Sequence, residues 1–140
     1  MGVKITIDTN AVRMKLEAAS KKALAVTSKQ ALADCNEFCP EDQGVLINSS
    51  ISHSRYTDGL LVWVTPYARY LYYGLLMVDS VTHSAWARKG TNKMLTDKEL
   101  IYHPKHSSST PGKLWCEKAR ETYSEDWRQI YQNALRRNLK

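Results

Sequence analysis

Val3, Ile5 and Ile7 alternate with Lys4, Thr6 and Asp8, a period of two that predicts a short half-buried strand over 3–7. Asp8 or Thr9 then offers a side-chain oxygen to the free amides of a first helical turn. From Asn10 to Cys39 the apolar positions Val12, Leu16, Ala19, Ala23, Val26, Ala31, Cys35 and Phe38 recur at helical spacing. Lys15, Lys21, Lys22 and Lys29 take the other face, so the pattern is amphipathic. At 1.5 Å per residue this helix runs roughly 45 Å, longer than a core of this size requires. Its overhang suits an interface with a neighbour. Pro40 ends it.

Residues 40–44 are turn-rich, and 45–50 lead into Ile51–Tyr56, whose polar alternation suits a strand with one wet face. Asp58-Gly59 supplies the positive φ angles of a tight turn, which predicts a hairpin returning along 60–65. The segment Pro66–Gly74 follows, with Tyr67, Arg69, Tyr70, Tyr72 and Tyr73 before a glycine that stops a short helix. Three readings fit this segment: rings covering the sheet, a subunit interface rich in Tyr and Arg, or a platform for stacked bases. Leu75–Val78 and Glu99–Tyr102 read as strands around a polar stretch containing Arg88, Lys89 and Lys93. This predicts a projecting hairpin or arm over about 75–112, ending in the Ser/Thr/Pro/Gly connector 106–112. The last helix opens at Gly112 and carries Trp115, Ala119, Tyr123, Trp127, Tyr131 and Ala134 along one face, its tryptophans expected to pack on the sheet. The fold class is therefore α+β: long N-terminal and aromatic C-terminal helices on a small antiparallel sheet.

Length adds one constraint: 140 residues suit a single domain spanning 1–140. A mean hydropathy of −0.47 and the lack of any apolar run near 18 residues exclude a membrane-spanning helix, and Met1–Lys4 opens without a hydrophobic signal core. The net charge of +6 is unevenly spread: residues 1–33 carry +4, 34–112 carry −1 and 113–140 carry +3. The excess belongs to the two terminal helices, so it points only weakly to nucleic acid.

Candidate chemistry is thin. Cys35, Cys39 and Cys116 are odd in number and suit free thiols in a reducing compartment. Cys35 and Cys39 share a helix face, and His103 and His106 have an H-x-x-H spacing, but a second cysteine pair for zinc is missing. Cys116 with His103 or His106 could pair nucleophile and base, yet an aromatic helix face suits an inert thiol better. The nucleotide, phosphate-loop, hydrolase and metalloprotease motifs are all missing. The expectation is a protein without catalytic, cofactor or metal residues.

Four blocks in order carry a resemblance. They are Cys39–Leu46 with Ser49 and Ser50; Leu61–Gly74; Met77–Asp79 through Ser84–Gly90 and Leu95–Asp97; and Trp115–Ala119 with Trp127. Together they resemble the minor capsid proteins of long-tailed bacteriophages and of prophages in Gram-positive hosts, which are similar to tail-completion proteins at the head–tail junction. The resemblance covers roughly 28–131, leaving out the N-terminal strand and the last nine residues, and Gln43 stands where Thr is common. It implies a structural virion protein made in the host cytoplasm, forming a hexameric or dodecameric ring in the neck. The implied partners are further copies, the connector or stopper, and the tail terminator or tail tube. Genomic DNA would pass through the lumen, and no membrane is involved. The candidate interface residues are Tyr67, Arg69, Tyr70, Tyr73, Trp86, Arg88 and Lys89. The alternative is a basic nucleic-acid-binding protein that stacks bases on residues 67–73.

Overall fold

The computed structural model describes residues 2–41, 44–84, 89–102 and 111–140. Its elements are α1 (Thr9–Phe38), α2 (Val45–His53), a 3-10 turn (Tyr56–Asp58), α3 (Ala68–Tyr73), β1 (Leu75–Asp79), β2 (Lys93–Glu99) and α4 (Trp115–Leu139). The class is α+β, with the two strands paired antiparallel.

Helix α1 starts where its cap is. Asp8 is extended, and its carboxylate accepts a hydrogen bond from the Ala11 amide at 3.0 Å. Helix α4 lies antiparallel along α1, as three side-chain bonds show. Tyr123 donates to Glu37 at 2.8 Å, the Trp127 indole donates to Asp34 at 2.6 Å, and the hydroxyls of Tyr131 and Ser20 meet at 2.7 Å. Small buried residues, Ala19 and Ala23 on α1 with Ala119 and Ala134 on α4, permit close approach. Trp127 therefore packs on α1, and the expectation that both tryptophans rest on the sheet is corrected. A helix pair, not the sheet, forms the frame.

The stripe anticipated on α1 is buried only in its C-terminal part. Every residue from 2 to 18 is exposed, including Val12 and Leu16, so the first turns of α1 extend past the segment that α4 covers. Residues 3–7 form no strand within the protomer, and Val3, Ile5 and Ile7 are 89%, 80% and 69% exposed. The alternation is real, but α1 carries it to the end of the molecule opposite the sheet.

The second correction concerns 45–65. Residues 45–53, which lead into and open the expected wet strand, form α2 instead, and their serine hydroxyls turn back onto that helix. The hydroxyls of Ser49, Ser50 and Ser52 donate to the carbonyls of Leu46, Ile47 and Asn48. Leu46 and Ser50, one turn apart, are the buried face of α2. The returning stretch 60–65 is not a strand, and beyond the bridge at Leu60 it pairs with no strand among the described residues. Its amides at Val62 and Val64 donate instead to Ser54 and Ser49 side chains, at 3.0 and 3.1 Å. Of the expected hairpin, the Arg55–Leu60 bridge and the positive φ of 68° at Gly59 remain. Asn36 ties this layer to α1: its amide nitrogen donates to Ser50, and its carbonyl accepts from the Trp63 indole, both at 2.9 Å.

The core closes at the Phe38 end, where Cys35, Cys39, Leu46, Ala68 and Ala119 surround Trp115. From there the β1–β2 hairpin departs. Its second strand is Lys93–Glu99 rather than 99–102, with Asp79 opposite Lys93, Leu75 opposite Glu99, and an irregularity between Leu75 and Met77. Gly74 makes the departure possible. Its φ is +74°, its amide closes α3 on Tyr70, and an added Cβ would lie 2.9 Å from the Lys113 side chain. Gly74→Ala is therefore expected to cost at least about 1 kcal/mol, as strain in the left-handed region and as a clash. Chemical denaturation checks this, and an unchanged midpoint would refute it.

Candidate assembly surface

Helix α3 is six residues long and turns different tyrosines to different surroundings. Ala68 is buried, and Tyr72 faces inward, edge-on to Trp115 at 4.8 Å and 85°. Burial is the main cause that pushes the Tyr72 phenol up to about 12, with Cys116 and Glu117 adding to it. Tyr67 and Tyr70 stand on the opposite side, 6.4 Å apart and tilted by 53°. They line a groove of about 450 Å³ with Pro40, Val45, Leu71 and Ile101. Burial also raises the Tyr70 phenol, and the Lys93 ammonium lies 5.0 Å over its ring, joining α3 to β2.

Arg69 and Tyr73, four residues apart, flank a shallower depression of about 270 Å³ floored by Trp63, Tyr72 and Trp115. Both are exposed, Tyr73 by 50%. The seven anticipated interface residues thus divide. Tyr67 and Tyr70 share one groove, and Arg69 and Tyr73 share another. Lys89 is exposed in the β1–β2 connection, and Trp86 and Arg88 lie outside the described residues. Val45 and Ile101 were missed, because a single apolar residue beside a turn or past a strand carries no periodicity. The tyrosines do not form one stacking platform. Two are engaged with each other and Lys93, one is core, and Tyr73 stands edge-on to Tyr72 at 86°.

The thiols gather in the core. Cys35 and Cys116 share a hydrogen bond that raises Cys35, with burial adding to it, and lowers Cys116, which also accepts from Tyr72. His103 and His106, the proposed bases and ligands, lie outside the described residues. Among the described residues no group of three or more His, Cys, Asp or Glu is placed to hold a metal ion, and no helix is long and apolar enough to cross a membrane.

The sequence model of the minor capsid protein family matches residues 3–135. The chain belongs to that family. It is a structural protein of a bacteriophage particle, and its place is the virion. The match reaches further than the four blocks anticipated: it takes in the exposed N-terminal segment of this minor capsid protein and runs through most of α4. No curated protein and no solved structure matches the chain.

Proposed function

We propose that this minor capsid protein is a neck component: identical copies close into a ring at the head–tail junction and join the capsid-side connector to the tail. Its remaining partners are a stopper, a tail terminator or the tail tube, and genomic DNA passes through the lumen without being read. It works by fit between surfaces, with no catalytic step. The observation that carries this reading is the pair of aromatic depressions on opposite sides of α3, one holding Tyr67 and Tyr70 and the other Arg69 and Tyr73. Tyr and Arg are the residues enriched at interface centres, and two separate flanks are what a closed ring of copies needs.

The test is to separate folding from assembly. Arg69→Glu and Tyr73→Ala alter exposed side chains, so each should change stability by no more than about 0.5 kcal/mol. Their particles should nevertheless show at least a tenfold loss of infectious yield, with heads and tails left unjoined in electron micrographs. Normal yields of joined particles from both variants would sink the proposal. Tight, steeply salt-dependent DNA binding by the lone protomer would favour the nucleic-acid reading instead.

A further inference from the structure

Two features of the chain lack a partner within the protomer, and they match. The first is the arm before α1, where Val3, Ile5 and Ile7 alternate with polar residues, all exposed. Its backbone lies outside any helix or strand and pairs with nothing among the described residues, and Asp8 at its end is extended. The second is the outer edge of the hairpin. Met77, Val78 and Asp79 bury β1, and the Asp79 amide is taken by the Ser84 carbonyl, so the covered strand is β1. β2 is exposed at five of its seven residues, with Met94 and Leu95 open by 42% and 47%. An edge strand presents a row of free N–H and C=O groups, and a two-stranded hairpin is marginal until a third strand or a helix supports it.

The arm cannot reach its own hairpin. Gly112 bonds to the Phe38 carbonyl, Leu114 to Tyr72, and Leu100 to Gly74, so the hairpin is rooted at the Phe38 end of α1. Helix α1 has 30 residues, and at 1.5 Å each places the arm about 45 Å from that end. Residues 2–8 span at most about 25 Å fully extended, which leaves them roughly 20 Å short of the root.

We propose that the arm of one copy adds as a third strand to the β2 edge of a neighbouring copy. Charge selects the direction. Antiparallel addition with Lys4 opposite Asp97 brings Asp8, already extended, opposite Lys93. The same register sets Ile5 against Thr96 and Ile7 against the exposed Met94. Donor and acceptor lie at opposite ends of one protomer. Each copy can therefore reach forward to the next and receive from the one behind, a head-to-tail contact that makes a ring when the rotation between copies closes. The inference rests on the multi-copy reading above and adds a residue-level joint to it.

Mixing the single variants Ile7→Cys and Met94→Cys of the full chain under mild oxidation tests the register. A disulfide linking residue 7 to residue 94 between chains is expected, identified by mass spectrometry of the linked peptides. Val3→Cys in place of Ile7→Cys moves the thiol four residues along and should lower the yield at least tenfold. Deleting residues 2–7 should leave the thermal unfolding midpoint unchanged and weaken self-association at least tenfold in analytical ultracentrifugation. Oligomers that survive the deletion would overturn the arm joint while leaving the ring reading intact. A full chain that stays monomeric at all concentrations and forms no 7–94 link would overturn both. A truncated chain that fails to fold would place the arm in the core and overturn it too.

Discussion

Trp115→Ala is expected to lower the unfolding free energy by about 3–5 kcal/mol, a large part of the roughly 5–15 kcal/mol that stabilises an ordinary domain. The indole is 1% exposed and stands edge-on to Trp63 at 5.9 Å and to Tyr72 at 4.8 Å. It is the point where the start of α4, the end of α1, α2 and α3 converge. Truncation would remove the largest side chain of that cluster and leave a cavity bounded by other rings, which cannot collapse without leaving their rotamers. Its buried indole N–H has no hydrogen-bond partner among the described residues. Trp115→Phe, which discards that donor but keeps a ring, should therefore cost less than half as much. Urea denaturation of both variants measures the difference. A loss below about 1 kcal/mol for the alanine variant would show that the cluster is not the seat of stability.

Asn36→Ala should cost about 2–4 kcal/mol, an effect out of proportion to its size. This side chain holds two layers to α1 at once, donating to fully buried Ser50 on α2 and accepting from the Trp63 indole on the returning stretch 60–65. Removing it strands the indole donor in a half-buried site, and the desolvation of an unmade bond is the larger part of the loss. A double-mutant cycle with Trp63→Phe isolates the shared bond. Coupling of about 1 kcal/mol is expected. Strict additivity would mean that the two side chains do not depend on each other.

The elements legible from sequence were those with local punctuation. Helix α1 was placed to within a residue at each end because Asp8 caps it and Pro40 follows it, and α3 was placed because Gly74 stops it. The errors cluster where side chains substitute for backbone partners. Ile51–Tyr56, with 45–50 leading into it, looks like a wet strand because its polar residues alternate with apolar ones. Here the hydroxyls of Ser49, Ser50 and Ser52 bond back to their own helix, while those of Ser49 and Ser54 receive the amides of Val64 and Val62 that a neighbouring strand would have taken. Asn36 gave no signal, since a mid-helix asparagine is usually solvated. The period-two pattern of 3–7 predicts a half-buried strand, but the segment is exposed and forms no strand in the protomer, because α1 carries it beyond the part of the molecule that could cover it. The site was half legible. Tyr67, Arg69, Tyr70 and Tyr73 were singled out together, but only three-dimensional placement divides them between two faces.

The antiparallel packing of α1 and α4 has an electrostatic consequence. It folds the two ends of the chain onto one end of the rod, so Lys4, Arg13, Lys15, Lys21 and Lys22 converge with Arg136, Arg137 and Lys140. Residues 2–22 and 131–140 together carry +6, the whole net charge of the molecule. The rest of the protein is thus neutral in sum, and the protomer is a polarised body rather than a uniformly basic one. Copies placed side by side with these ends aligned repel within a Debye length of about 8 Å at physiological ionic strength. Head-to-tail copies avoid that repulsion, because each sets this basic end against the hairpin end of its neighbour, where the Lys4–Asp97 and Asp8–Lys93 pairs are screened by salt. Association should therefore weaken only modestly as ionic strength rises, in contrast to the steep loss expected of a dedicated binder of nucleic acid.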